Sequence, residues 1–570
     1  MITANQMYKL LIAHFFVLLI LAACNTAIDN TPKKDIISNK DIANAPSSET
    51  IKQLLEHGIE NNGQINKNEK LYLSTMVQAF YNNNAFVYLW SKNKKWSPIA
   101  DTLLQFINNV EKYGLFSTDY HVASLKNIAA NIATDSIKRA DEHIWSLADV
   151  LLTDAYMHIV KDIKYGRLFN DSTMIVDANN DKHKFVLHTT TQLFNKVNFS
   201  NILQYISPKN KGYINLQTSV KDFLDSMDRK PYTYIPYPFK RGLEADSVTF
   251  IKLLQQRLFE SNCIEFATPL ADSTALSTAI KCYQKKKGMQ QDGKYGNNLI
   301  KQMNLTDIEK FKRIAITLDR YKLLPDSLPK QYIWVNLPSY YLHIIDSDTI
   351  ALTSKIICGK PDTRTPLLSS KITNMVVYPT WTVPNSIITK QYLPKLKKNP
   401  NYLSRLGLKL KNNKGQIVDA GSINWDKYNK GIPFKVMQNS GDNNALGIMK
   451  FNFDNEYAVY LHDTNQRYLF KNTSRALSHG CVRVQEWEKL AFYLARNDSA
   501  LLKIGDSLTY TIDSIKQWLA DKKYKRIDVK NQFQLYINYF SCEGVNGKVK
   551  FYEDIYGEDK ALREKYFSKN

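Results

Sequence analysis

The stretch QYIWVNLPSYYLHIIDSDTIALTSKIICGKPDTRTP, residues 331–366, marks a change of period in the chain. Before it, apolar residues recur at helical spacing; within it, they alternate. Ile333, Val335 and Leu337 share one face, Tyr341 and His343 follow, and a third run covers Ile356 to Cys358, with turn signals between the runs. A period of two in β-branched and aromatic residues predicts strands with one buried face. Toward the C-terminus, NMVVYPTWTVP (374–384), FKVMQNSGDNNALGIMKFNF (434–453) and YAVYLHD (457–463) continue the strand pattern. Residues 386–430 interrupt it as a basic, helical insertion. VQEWEKLAFYLARND (484–498) reads as a helix, and residues 511–570 as a mixed, Tyr-rich extension beyond a domain spanning 331–510.

Toward the N-terminus the chain is mainly helical over 51–245. EHIWSLADVLLTDAYMHIVKDIKYGRL (142–168) places Leu147, Val150, Leu151, Ala155, His158 and Ile159 on one face, with Gly166 as its stop. KPYTYIPYPFKRGL (230–243) reads as a linker. Residues 246–306 form a small three-helix unit, in which Gly288, Gly293 and Gly296 permit the turns. The fold class expected is therefore multi-domain α+β: a helical region, a three-helix unit and a mostly-β domain carrying an insertion.

Length and charge bound the function. A chain of 570 residues accommodates three or four domains, and 44% hydrophobic content suffices for packed cores. The net charge of +22 suits an anionic membrane or cell-wall polymer. Nucleic acid is disfavoured as a partner, since no nucleic-acid-reading motif appears. The chain opens with Lys9 followed by an apolar run at 10–23, too short to span a bilayer and fitting a signal peptide at 1–23. Leu21-Ala22-Ala23-Cys24 resembles a bacterial lipobox, which implies lipidation at Cys24, a polar tether over 24–50 and a protein held to a membrane in the periplasm. Asn25 stands where an aspartate would signal inner-membrane retention, which leans toward the outer membrane. Cys263, Cys282, Cys358, Cys481 and Cys542 form no C-x-x-C pair; whether Cys263 and Cys282 bridge stays open.

The chemistry concentrates in YLHDTNQRYLFKNTSRALSHGCVRVQEW (460–487). His462 stands nineteen positions before Cys481, and His479 two before it. A metal site, core packing and a thiol nucleophile with its base compete. Metal ligands favour short, convergent pairs, and the only nearby carboxylate is Asp463. Nucleophilic catalysis explains more: an imidazole can take the thiol proton, Gly480 lets a substrate approach, and the N–H groups of Gly480 and Cys481 can face an oxyanion. A helix starting near Gln485 would add its dipole to the stabilisation of a thiolate.

His462, fifteen residues, then Ser478-His479-Gly480-Cys481-Val482-Arg483 resembles the L,D-transpeptidase signature, with Arg483 where the family commonly has asparagine. GKPDTRTP, YPTWTVP and NNALGIMKFNF occur in the family's order, and LLTDAYMHIVKDIKYGRL resembles the scaffold of its large multi-domain subgroup. The three-helix unit, with Tyr283-Gln284, Gly288-Met289 and Asp292-Gly293, resembles peptidoglycan-binding domains. The resemblance implies an acyltransferase in which Cys481 attacks a peptidoglycan tetrapeptide stem, D-alanine leaves, and a second stem's amine accepts the acyl group in a 3-3 cross-link. It implies His462 as acid/base and His479 within the site, Tyr460, Ser478 and Arg483 as substrate-positioning groups, Asp463 or a backbone carbonyl as the orienter of His462, and 386–430 as a cap. It implies no cofactor and no metal. Water or a protein lysine as acceptor (carboxypeptidase, endopeptidase or protein-to-wall transferase) stays open, as does a non-enzymatic wall tether. The third stem residue, the oligomeric state and any activating partner are unspecified.

Overall fold

A computed structural model describes residues 47–168, 182–236, 247–265, 272–502 and 510–567. The apolar run at 10–23, Cys24 and most of the expected tether lie outside these residues, as does 237–243 of the expected linker. The protein is α+β, with a helical N-terminal region and a mostly-β C-terminal domain. Among the described residues no helix is long and apolar enough to cross a membrane.

The chain divides into two compact units. One takes in described residues 47–100 and 124–154, the other 101–123 and 155–567. In the first, α1 (Ser47–Glu60) begins inside the segment expected to be tether, because Thr50 and Ile51 are fully buried. Asp149, on α2 (Glu142–Tyr165), anchors this unit's core. Its carboxylate accepts from the Tyr81 hydroxyl at 2.5 Å and from the backbone N–H of Leu89 and Trp90 at 3.0 and 2.8 Å. Burial pushes that carboxyl up to about 6 despite these bonds.

In the second unit, α3 (Ser247–Glu260), α4 (Ser273–Lys286) and α5 (Asn297–Asn304) enclose a core of Leu254, Leu258, Ile280, Tyr283 and Ile300. Gln284 is a staple here. Its amide donates to Asp292 Oδ1 at 2.7 Å and its carbonyl accepts from Gly293 N–H at 3.0 Å, fixing the turn before α5. Gly293 adopts φ +65°, and a Cβ there would lie 2.3 Å from Ser277 Oγ. Cys263 and Cys282 form a disulfide between the end of α3 and α4.

The β domain contains β1 (Gln331–Asn336), β2 (Tyr341–Asp346), β3 (Thr349–Gly359), β4 (Leu368–Val377), β5 (Trp381–Thr382), β6 (Leu408–Lys411), β7 (Ile417–Val418), β8 (Lys435–Gln438), β9 (Met449–Phe453), β10 (Leu461–His462), β11 (Ala476–Ser478), β12 (Val482–Val484) and β13 (Lys525–Asn538). Nine of these form one sheet in the order β11-β3-β12-β10-β9-β4-β13-β1-β2. A second pairing, of β2 with β3, returns the ladder on itself. The alternation read in 331–359 is thus three consecutive strands, whose residues Ile333, Val335, Leu342, Ile344 and Ile356 are fully buried.

Three expectations change. Residues 511–570 are no appendage: β13 lies between β4 and β1, burying Ile527, Val529, Phe533, Leu535 and Ile537. Its pairing with β1 is parallel, so no hairpin turn near it in sequence announces the strand. The helix after the cysteine, α6 (Trp487–Ala500), starts three residues later than expected, because Val482-Arg483-Val484 is the strand β12. The insertion is less helical than expected. Short turns, including a wide π-type turn at Ile388–Tyr392, pack with the four-stranded sheet β5-β8-β6-β7 around Leu393, Leu396, Leu403, Leu410, Trp425 and Val436.

Candidate active site

Cys481 is set by two neighbouring strands and a strapped loop. Parallel pairing of β10 with β12 aligns Leu461 with Val482 and His462 with Arg483, and Val482 N–H donates to the Tyr460 carbonyl at 3.1 Å. Gly480 adopts φ +120°, a conformation that a side chain would strain. The loop after β3 binds this turn. Thr363 Oγ1 and Lys360 N–H donate to the Ser478 carbonyl at 3.1 and 3.0 Å, and Thr365 Oγ1 donates to the Gly480 carbonyl at 2.8 Å. Tyr556 holds that loop in turn, its hydroxyl donating to the Gly359 carbonyl at 2.8 Å and accepting from Thr365 N–H at 3.2 Å. A residue of the supposed extension therefore supports the loop that straps down the cysteine's turn.

Ser478 is structural in this arrangement. Its hydroxyl donates to the Cys481 carbonyl at 2.5 Å and accepts from Gly480 N–H at 3.2 Å. That engages one of the two N–H groups expected for an oxyanion; the Cys481 N–H has no protein acceptor among the described residues.

His462 is 4% exposed. Its Nδ1 lies against the Asp463 carbonyl, and the Leu446 carbonyl also faces the ring. The orienting group is thus backbone. The Asp463 carboxylate points elsewhere, accepting from Ile448 N–H at 3.1 Å and Arg467 Nε at 3.0 Å in space left by Gly447. Burial, with Arg483 and Lys450 adding to it, pushes His462 down to about 3 against the two carbonyls, so the ring is neutral at ordinary pH.

The backbone N–H and hydroxyl of Tyr460 face the Cys481 thiol and favour its thiolate form. Burial raises its pKa; Tyr460, then Lys450 and Arg483, pull it down. Among the described residues no hydrogen bond joins His462 to Cys481, a looseness common before substrate binds. The expected help from a helix dipole is absent, since Cys481 precedes a strand rather than α6. His479 is exposed and its ring contacts Gln391 of the insertion. Arg483 donates to Gln466 Oε1 at 3.1 Å, while its buried Nε has no partner.

Tyr460, His462, Ser478, His479, Cys481 and Arg483 line one cleft of about 450 Å³. The insertion contributes Ile387, Gln391, Tyr392 and Leu406 to it, so the cleft is covered on that side. Asp463 and Gly480 are not among its lining residues. Sequence reasoning missed Trp381, Gln391 and Lys450. Lys450 alternates with the buried Met449 and Phe451, which places it on the opposite face of β9. Only the pairing of Lys450 with His462 shows that this face meets the cysteine.

Residues 330–501 match the YkuD family, the L,D-transpeptidase catalytic domain, and residues 75–219 match the Scaffold domain family. A putative L,D-transpeptidase of Haemophilus influenzae is 35% identical over 262 residues, covering 46% of this chain and 50% of that protein. The chain spans about half the length of the curated relative it matches. A crystal structure of an L,D-transpeptidase from Stackebrandtia nassauensis overlays 51% of this chain and 90% of that one at 14% identity and a TM-score of 0.16. A cysteine-to-serine mutant of the Enterococcus faecium L,D-transpeptidase overlays 37% and 50% at 12% identity and a TM-score of 0.17.

Proposed function

We propose that this protein is a peptidoglycan L,D-transpeptidase that forms 3-3 cross-links through a thioester on Cys481. The observation that carries the reading is the convergence of Cys481, Tyr460 and the buried His462 in one covered cleft within the segment matching the L,D-transpeptidase catalytic domain.

In this reading Cys481 Sγ attacks the carbonyl of the third residue of a tetrapeptide stem, and the thiol proton passes to His462. The Cys481 N–H and the Tyr460 hydroxyl face the developing oxyanion. Collapse breaks the peptide bond, and His462 returns the proton to the departing D-alanine amine. The amine of a second stem gives a proton to His462, attacks the thioester and releases the Cys481 thiolate, which is then reprotonated. A neutral imidazole can accept a proton in each half-reaction. The insertion at 386–430 covers the bound stem and excludes water, which favours an amine acceptor over hydrolysis. His479, beside Gln391 at the margin of the cleft, positions the incoming acceptor, and Arg483 meets substrate polar groups.

The three-helix unit at 246–306 binds peptidoglycan and brings the β domain to its polymer. Lipidation at Cys24 places the enzyme outside the cytoplasm, on a membrane facing the wall, with the outer membrane favoured.

The test is product mass after incubation with disaccharide-tetrapeptide. A 3-3 dimer with released D-alanine supports the reading. Tripeptide without dimer, at saturating acceptor, replaces it with a carboxypeptidase. No turnover with retained binding to insoluble peptidoglycan replaces it with a wall tether.

A further inference from the structure

Lys450 and Arg483 are both half-buried and both favour the thiolate form of Cys481, and neither has a carboxylate partner among the described residues. Charges withdrawn from water are ordinarily paired. Arg483 is held off by its bond to Gln466 Oε1. Lys450 is seated differently: its Nζ sits 3.9 Å from the centroid of the Tyr460 ring, and the Tyr460 hydroxyl faces Cys481. β9 fixes this seat from below, because Lys450 lies directly opposite His462 in the β9–β10 ladder and opposite Val376 in the β9–β4 ladder. Pairing on both sides fixes which face of the sheet Lys450 presents.

We propose that Lys450 is a positioning residue that, through its seat on Tyr460, supplies the positive charge stabilising the Cys481 thiolate, the part that an imidazolium plays in a cysteine–histidine ion pair. The contacts divide the work. His462 makes no hydrogen bond to the thiol among the described residues, and its buried ring disfavours a resting imidazolium. Lys450 keeps its proton throughout, while His462 carries the proton that moves. Burial lowers the Lys450 pKa and the charge on Cys481 raises it again, so each charge favours the other. The groups around Cys481 are Tyr460 just before β10, His462 on β10, Lys450 on β9 and Arg483 on β12; His479 on the motif loop turns to Gln391.

The inference rests on Cys481 being the nucleophile of the proposed transfer, but the test reads the thiol alone. The full chain is alkylated with iodoacetamide across pH, and the peptide containing Cys481 is quantified by mass spectrometry. At pH 8, Lys450→Met slows alkylation roughly tenfold, as a rise of about one unit in the thiol pKa requires. Lys450→Arg recovers most of the rate. His462→Ala alkylates within about twofold of the wild type, because the imidazole is not the stabilising charge. With peptide substrate, Lys450→Met lowers kcat and leaves KM little changed. An alkylation rate for a cooperatively melting Lys450→Met within twofold of wild type overturns the inference, as does a tenfold loss in His462→Ala. If Lys450→Met loses its cooperative melt, the His462→Ala result decides. A wild type inert toward tetrapeptide, with these alkylation rates intact, sinks the transfer reading and leaves the Lys450 assignment standing.

Discussion

The floor and the cover of the cleft are built by opposite means. The floor is a mid-sheet surface on which nearly every backbone group around the cysteine is held: Ser478 and Gly480 carbonyls by Thr363, Lys360 and Thr365, and that loop by Tyr556. Arg475 adds two more ties, donating to the Ile356 carbonyl at 3.0 Å and the Tyr340 carbonyl at 2.9 Å. The cover has its own small core, and its short turns carry exposed lysines. It meets the motif through side chains such as Gln391. The difference teaches where each task resides. In the proposed function, the rigid sheet places the reacting atoms and the cover selects among ligands.

This division can be broken at several points. The largest effect belongs to the floor's centre: Cys481→Ala abolishes acyl transfer, with a loss of at least roughly 10³-fold in kcat/KM, measured by D-alanine release. Next is the turn beneath it. Gly447 holds φ +63°, and a Cβ there would lie 2.2 Å from Asp463 Oδ2. Gly447→Ala therefore destabilises the β domain by about 2–4 kcal/mol in a denaturant titration, and lowers activity by displacing His462 beside Asp463. Tyr556→Phe removes one donor and one acceptor from the strap and costs about 1–3 kcal/mol. A Tyr556→Phe protein of unchanged stability would show the C-terminal segment to be dispensable to the floor.

Acid sharpens the comparison, because the buried histidine belongs to the floor alone. In the unfolded chain His462 titrates near its ordinary value of about 6.5, and in the fold near 3. Between those values the unfolded state binds the extra proton, so stability present above about pH 6.5 is lost as pH falls, by about 2 kcal/mol at pH 5. His462→Gln flattens that slope. The same displacement removes any acid limb near pH 6.5 from kcat/KM, and the raised Cys481 pKa makes thiol reactivity climb toward alkaline pH. The smallest effect is on the cover: Gln391→Ala frees His479 and raises acceptor KM by roughly two- to fivefold with stability unchanged, as loss of one polar contact at an exposed site implies.

The sequence made the floor's chemistry legible and hid its supports. Cys481 and His462 stand out in the sequence because they sit within a motif of fixed spacing, and Tyr460 because it lies two residues before His462 on the same strand face; the structure brings all three to one cleft. Strands 331–359 were readable because successive hairpins are local. Lys450 was not, because facing a cysteine depends on pairing across strands. Nor was β13, whose partner β1 lies almost two hundred residues away. The placement of α6 erred because V-R-V satisfies a strand and a helix entry equally well in isolation, and only the β3 and β10 neighbours decide. Asp463 looked like an orienter by adjacency, yet a strand turns successive side chains to opposite faces, leaving the carbonyl to do that work.

The most direct measurement is the covalent state of the enzyme during turnover. The full chain is mixed with disaccharide-tetrapeptide, quenched in acid within the first turnovers, digested and mapped by tandem mass spectrometry. The expected result is a disaccharide-tripeptide adduct on Cys481 alone, labile to hydroxylamine as a thioester is, and absent from Cys481→Ala. Cross-linked product forming while Cys481 stays unmodified, or an adduct at another residue, would contradict the central claim.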